Sequence, residues 1–538
     1  MKAKLSRSDS FLKVSNSLWT LTVYSARLFS KQFKTFHCFD QLHHDQHGLE
    51  NRVKAKEFPR HDPGMDLEAP ISTNQQICFY SIEQSRKALA SGKTLSGAKL
   101  TPTSMATHHL KRLNTLQGYY HTHIRIPSMK EMEQQLMELP KDLSGIFYHN
   151  IDIQQTLSNY CLTENIKELT ACLSNTICVL ETILRMNGGI NLGQTTVPPF
   201  GMIRNPFNPS NSLSSGGAAA IAAGVGNVAI ACDAAGSIAV PTGFSGNVGV
   251  KPSSDTRLFE GTKCGHNGVS IGTITRSIDD AALVWESLIP QDGDDGLNTE
   301  YTLSRWAKFC KKHGCREFEE KRICFISNFP WCCDLDSCIQ HSFDDLVNTV
   351  KTDFFNVTYL SKHDFNFDDQ DTIMEILKLC NVKLNDERVK QVELHSSSVA
   401  ITYEDTRKVQ SKTGMGIEGL FQTYDFLVIP VSTCVAWKVD HEKPISTSTD
   451  LCFNLAQYFN LVDCPVITLP LGEDHDFVPY GVQIVGKPRS GTKGLYDLFG
   501  FSSVLSPYTK YNPPEISVTS LKYCAHEDEY GFPCNING

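Results

Sequence analysis

Apolar residues recur along this chain at two spacings. Over Glu164–Met186 they fall at helical spacing (Ile166, Leu169, Cys172, Leu173, Ile177, Leu180, Ile183, Leu184), which predicts an amphipathic helix with one core face. Residues 128–139 repeat the pattern through Met129, Met132, Leu136 and Leu139. Short apolar runs alternate with these helices. Those at 228–232, 322–326, 357–360, 424–431, 464–470 and 480–486 each suit a buried strand. Further helices are expected over 343–355 and 453–461. Helices interleaved with short strands predict an α/β fold: a single large domain in which a twisted mixed β-sheet is covered by helices on both faces. The expected bounds are a poorly patterned N-terminal extension over 1–100, the α/β domain over 101–505 and a polar C-terminal tail over 506–538.

Composition narrows the partners. The chain has 538 residues, 41% hydrophobic and 20% charged, enough for a large core. A net charge of -9 argues against nucleic-acid binding through a basic surface. The 19 cysteines are scattered, with no paired CxxC framework, and read as reduced thiols. Cys332, Cys333 and Cys338 form one tight cluster, and His37, Cys38, His43, His44 and His47 another. Either spacing can bind a metal, but free thiols and a polar tail are the plainer readings, so no metal is assigned. The N-terminus is basic, with Lys2, Lys4, Arg7, Lys13, Arg27, Lys31 and Lys34 against Asp9 alone. Residues 18–29 are too short and too polar to span a bilayer, and no secretory h-region is evident. A disordered start, an organellar transit peptide and an interfacial helix touching membrane stay open. The expected location is cytoplasmic, with mitochondrial or peripheral membrane placement as alternatives.

The chemistry concentrates in residues 212–252. Ala218 to Ala223 is a helix of almost no bulk. Gly224 and Gly226 stop it, and Asn227 is placed to cap it. After the strand at 228–232 comes Asp233-Ala234-Ala235-Gly236-Ser237, a turn of small residues closed by Pro241. Small side chains leave backbone N–H groups uncovered, as an oxyanion site requires. A serine displayed in such a turn is a candidate nucleophile, and Asp233 can hold the turn by accepting N–H groups.

Ser214-Ser215-Gly216-Gly217, then Asp233 to Ser237, then Pro241, Phe244, Gly246, Gly249, Lys251 and Pro252 occur in an order and spacing that resemble the amidase signature family. A looser resemblance runs from about Gly145 to about Gly486. It implies a serine hydrolase that cleaves an amide C–N bond through an acyl-enzyme, with no metal or organic cofactor. Ser237 is then the nucleophile and Ser214 relays its proton. The N–H groups of Ala234, Ala235, Gly236 and Ser237 form the oxyanion hole, with Asp233 and Ser215 in support. The family's base is a lysine. Read without gaps its slot holds Ile151; aligned on residues 150–153 it holds Tyr148. Lys141, in a Lys-Asp pair, lies on the wrong side of the Gly145-Ile146 landmark. The arginine usual two residues after the nucleophile is Ala239, and the chain between Pro198 and Arg204 is shorter than in the family. Arg276-Ser277 with Asp280 matches another family pattern, physically a helix start capped by Ser277.

Two readings stay open: an amide hydrolase, and a catalytically inactive relative that keeps the fold for binding or assembly. Within the first, small-amide amidases, fatty-acid amide hydrolases and the A subunit of glutamyl-tRNA amidotransferase are the branches. The expected partner is a small-molecule amide. Membrane contact through the N-terminus and a homodimer are further expectations.

Overall fold

The computed structural model describes residues 65–66, 76–120, 122–151, 164–195, 203–208, 210–213, 215–233, 236–259, 270–289, 302–329, 332–354, 356–365, 417–438, 455–456, 458–509, 511, 513 and 517–518. The histidine-rich 37–47 segment lies outside them. The helices are α1 (Ile82–Ser91), α2 (Pro102–Tyr120), α3 (Met129–Glu138), α4 (Glu164–Met186), α5 (Gly216–Ala222), α6 (Ala239–Gly243), α7 (Ile278–Leu288), α8 (Leu303–His313), α9 (Ser337–Asp353), α10 (Tyr458–Leu461) and α11 (Gly491–Leu505). Their starts follow local chemistry. Ser81 with Gln84, and Ser128 with Glu131, form capping boxes on α1 and α3. Ser277 accepts the Asp280 N–H at the start of α7, as its sequence predicts. Asp280 in turn accepts the Ile82 N–H at 2.8 Å, which ties α1 to α7.

The strands are β1 (Met65–Asp66), β2 (His123–Arg125), β3 (Phe147–Ile151), β4 (Ile190–Thr195), β5 (Ile203–Arg204), β6 (Ser212–Leu213), β7 (Val228–Asp233), β8 (Val248–Lys251), β9 (Ser270–Thr275), β10 (Ile323–Ile326), β11 (Val357–Leu360), β12 (Phe426–Pro430), β13 (Val466–Glu473), β14 (Pro479–Val485) and β15 (Ser517–Val518). Eleven of them form one mixed sheet in the order β11-β10-β12-β14-β13-β8-β9-β7-β3-β4-β2. The α/β expectation holds: a single domain with a large mixed sheet flanked by helices.

The central strands show two different faces. Val228, Ile230, Val248, Val250 and Ile271 join an apolar core with Leu184 of α4, Trp285 of α7, Phe343 of α9 and Leu498 of α11. The opposite face is small: Ala229 and Ala231 pack with Ala218 and Ile221 of α5, with Ile238 just ahead of α6 and with Val240 of α6. This is why an alanine helix serves here, since only small side chains let α5 and α6 lie close to the strands. Asn227 does not cap α5. Its Oδ1 accepts the Phe147 N–H and its Nδ2 donates to the Gly145 carbonyl, so it fastens β7 to β3. The helix ends, as expected, at Gly224, which takes φ 73° while the Gly224 and Val225 N–H groups return to the Ile221 and Ala220 carbonyls; Arg112 donates to the Ala223 carbonyl. The helix expected over 453–461 is present only as short α10, with residues 453–454 and 457 outside the described set. Cys332 is buried and desolvation pushes its thiol up to about 12, while Cys333 is exposed. Among the described residues no helix is long and apolar enough to cross a membrane.

Behind β3 lies a buried histidine relay. His149 Nε2 donates to the Val225 carbonyl at 2.8 Å, so its Nδ1 accepts from His123 Nε2 at 2.9 Å. Thr122 Oγ1 lies 2.7 Å from His123 Nδ1. His109 Nδ1 accepts the Gly226 N–H. Burial holds His149 down to about 4 and His109 and His123 well below 6.5, with the Arg276 and Arg112 charges adding to the effect on His109. Protonating His149 at Nδ1 would set its N–H against the His123 Nε2–H, two donors face to face. The unfolded chain binds protons near 6.5 that the fold refuses. Stability from these groups is therefore full above about 6.5 and is lost as pH falls toward about 4. Asp280 acts in the opposite sense. Desolvation raises it from 3.8 to about 6, so the fold takes up that proton first. Burial also lowers His108 and raises Asp463, so four histidines outweigh two carboxyls, at ~1.4 kcal/mol per net proton per pH unit. The melting temperature should fall steadily from pH 6.5 to pH 4.5 (roughly the histidine window). A flat profile over that range would count against neutral buried histidines.

Candidate active site

Strand β7 ends on Asp233, and the chain turns through Gly236 and Ser237 into α6. Asp233 is fully buried, and its carboxylate organises the turn. Oδ1 accepts the Gly236 N–H at 2.6 Å and Asn460 Nδ2 at 2.9 Å. Oδ2 accepts the Ile238 N–H at 2.6 Å and the Ala239 N–H at 3.3 Å. Asn460 of α10 also donates to the Asp233 carbonyl. Four donors satisfy a carboxylate that burial alone would penalise. Gly236, at φ 107°, takes a conformation that favours glycine.

Ser237 is half-buried at this turn, and among the described residues neither its N–H nor its hydroxyl has a hydrogen-bond partner. Ser215 is buried and caps α5 by accepting the Ala218 N–H at 3.2 Å. Ser214, Ala234 and Ala235 lie outside the described residues, as does the shortened 196–202 loop. One oxyanion assignment changes. The Gly236 N–H is committed to Asp233 at hydrogen-bond distance, so it is not free to stabilise an oxyanion. Of the four expected donors, Ser237 N–H is the described one still open.

Ile151 and Tyr148, the two residues expected in the lysine's place, are both buried in the apolar core. β3 runs parallel to β7 and to β4, so its C-terminal end lies on the Asp233 side. Ile151 ends the strand there opposite Thr195 and packs in the main core. Tyr148, the other alignment's choice, is fully buried in that same core. Lys141 is exposed ahead of the N-terminal end of β3. The strand's length separates it from the Ser237 end, at roughly 3.3 Å per residue.

Sequence reading gave no role to three residues beneath the turn. Asn460 is one. Lys251 and Gln483 are the others, and both are buried on the sheet face where α6 sits. Lys251 is quoted in the motif without a role, and nothing local pairs it with Asp233. The link is made by sheet order, because β9 lies between β7 and β8. Chemically, the arrangement presents one serine hydroxyl on a braced turn, with an open N–H at the same residue. That is the geometry for attack on a carbonyl carbon with charge developing on its oxygen.

The family model described as Amidase matches residues 184–493, more than half of the chain. Over 364 residues the chain is 25% identical to the fatty acid amide hydrolase of Arabidopsis thaliana, a match that covers 61% of this chain and 59% of that protein. It therefore spans about six tenths of that relative's length. The glutamyl-tRNA(Gln) amidotransferase A subunit of a Nitratiruptor species is 23% identical over 354 residues, 56% of this chain and 77% of that one. The solved structure of 6-aminohexanoate cyclic dimer hydrolase superposes with a TM-score of 0.59 at 16% identity, over 81% of this chain and 99% of that chain, a likeness of fold alone. With the family model matched over most of the sheet and the whole Asp233 to Ser237 turn, this chain belongs to the amidase signature family.

Proposed function

We propose that the chain hydrolyses an uncharged amide through an acyl-enzyme on Ser237. The observation that carries this reading is the Asp233 carboxylate, which fixes the N–H groups of Gly236, Ile238 and Ala239 and so presents Ser237. In the proposed reaction Ser237 Oγ bonds to the carbonyl carbon and its proton passes, through Ser214, to the departing amine as the C–N bond breaks. Water then cleaves the ester, releasing the acid and restoring the hydroxyl. The Ser237 N–H, with those of Ala234 and Ala235, stabilises the oxyanion. The relatives favour acyl amides as substrates, given a fatty acid amide hydrolase among them. The amidotransferase relative adds a branch in which partner proteins co-purify with the chain.

A second reading, an inactive member kept for binding, is favoured by Ile151 in the lysine slot. Losing a general base costs about 10²–10⁴ in rate. Amine release from a panel of acyl anilides, primary fatty amides and short acyl amides separates the two. Slow release that falls to background in Ser237→Ala is expected, since losing a nucleophile from a catalytic unit can cost on the order of 10⁶-fold. No release from any of the panel, or equal release by wild type and variant, supports the second reading.

A further inference from the structure

The sheet face beneath the Ser237 turn carries a buried charge that the proposed reaction does not use. Lys251, the last residue of β8, is 3% exposed. Its Nζ donates to the Cys464 carbonyl at 2.5 Å. An ammonium has three donors, so two remain beyond that bond. Between Lys251 and the turn lies a cavity of about 10 Å³, bounded by Asp233, Gly236, Ile238, Ala239 and Gln483. A volume of that order suits one water. Gln483 is fully buried; its Nε2 donates to the Pro430 and Leu455 carbonyls, and its Oε1 has no hydrogen-bond partner. An acceptor left so costs about 1–3 kcal/mol. Lysine donors and an orphaned acceptor on one water-sized cavity form a site for structural water.

The geometry points to a single buried water in this cavity, accepting from Lys251 and donating to Gln483 Oε1, which makes Lys251 a positioning residue for the Ser237 turn that walls the same cavity. Only its kinetic consequence rests on the hydrolase reading. The water holds the Lys251 ammonium in place on the wall it shares with Asp233, the carboxylate that fixes the nucleophile's backbone, and a low-dielectric surround strengthens the attraction between the two charges. Asp463, bonded to Ser254, is the other carboxylate in the field of Lys251. Ala239 gives the cavity its room, because a larger side chain would occupy the water's place.

A crystal structure of the full chain that shows ordered solvent is the first test. One solvent peak within about 3.2 Å of both Lys251 Nζ and Gln483 Oε1 is expected. A dry cavity, or a direct Lys251–Asp233 ion pair in its place, overturns the inference. Cavity variants give a second readout. Ala239→Val expels the water and strands its partners, so it should melt below wild type. Ala239→Ser can replace some of the lost bonds and should melt above Ala239→Val. A rise in melting temperature for Ala239→Val, as filling a dry void would give, overturns the inference. For positioning, Lys251→Met should slow phosphonylation of Ser237 by a fluorophosphonate on the order of 10²-fold. Lys251→Arg should recover part of the loss. Equal rates in wild type and Lys251→Met overturn the positioning role. If Lys251→Met does not fold, Ala239→Val carries the kinetic comparison. A wild type that never reacts refutes the hydrolase reading, and the solvent density still decides the water site.

Discussion

Asp233→Ala should abolish reactivity at Ser237 and remove much of the protein's stability. The carboxylate accepts three backbone N–H groups and the Asn460 amide, all buried. Each buried donor left unpaired costs about 1–3 kcal/mol, so losing several approaches the ~5–15 kcal/mol that holds a typical domain together. Reactivity fails for a separate reason. Without Asp233 the turn has no reason to hold Gly236 at φ 107°, and the Ser237 hydroxyl loses its fixed direction. Asp233→Asn separates the two effects. It keeps the volume but turns one acceptor into a donor, aimed at N–H groups. That variant should fold with a lowered melting temperature and react far more slowly. Melting curves and fluorophosphonate labelling rates check both, and wild-type labelling in Asp233→Asn would refute the bracing role.

Gly272→Ala carries the second large effect. A Cβ at this position of β9 would lie 2.0 Å from the Val250 carbonyl oxygen and 2.9 Å from Ile238 Cδ1. The first contact is with backbone in the neighbouring strand and cannot be relieved by a rotamer change. Relief needs β8 and β9 to part, in the sheet that seats the nucleophile's helix. Overpacking commonly costs about 1–3 kcal/mol and more where backbone must move. Soluble yield should drop sharply and any recovered protein should melt much lower. Gly419→Ala is the matched control, with nothing within 4 Å of the added Cβ. Its melting temperature should be unchanged or slightly higher. Similar behaviour of the two variants would mean that β8 and β9 are not in this close contact.

What the sequence discloses follows the range of each interaction. The α7 start is legible because Ser277, Asp279 and Asp280 act within one turn. β12 is legible because its side chains are buried along the whole strand and read as a continuous apolar run. The Asp233 turn is legible because an aspartate followed by small residues has few other uses. Asn227 misleads because a helix cap and a strand staple need the same amide, and only its distant partners Phe147 and Gly145 distinguish them. The 82–91 helix carries its capping box in plain view, yet its core contacts reach Asp280, far along the chain. The His123–His149 pair, Asn460 beneath Asp233 and Lys251 beside Gln483 join residues that no local pattern connects. The last two are the contacts that brace the site, so the family motif is readable where its bracing is not.

Activation of Ser237 is tested most directly by incubating the full chain with a fluorophosphonate and locating the adduct by peptide mass mapping. Attack expels fluoride, forms the Oγ–P bond and releases the serine proton, so only an activated hydroxyl reacts quickly. The predicted result is one adduct, on Ser237, absent in Ser237→Ala and in Asp233→Ala. Folded protein without an adduct, or with the label on a different serine, would contradict the assignment of Ser237 as the nucleophile.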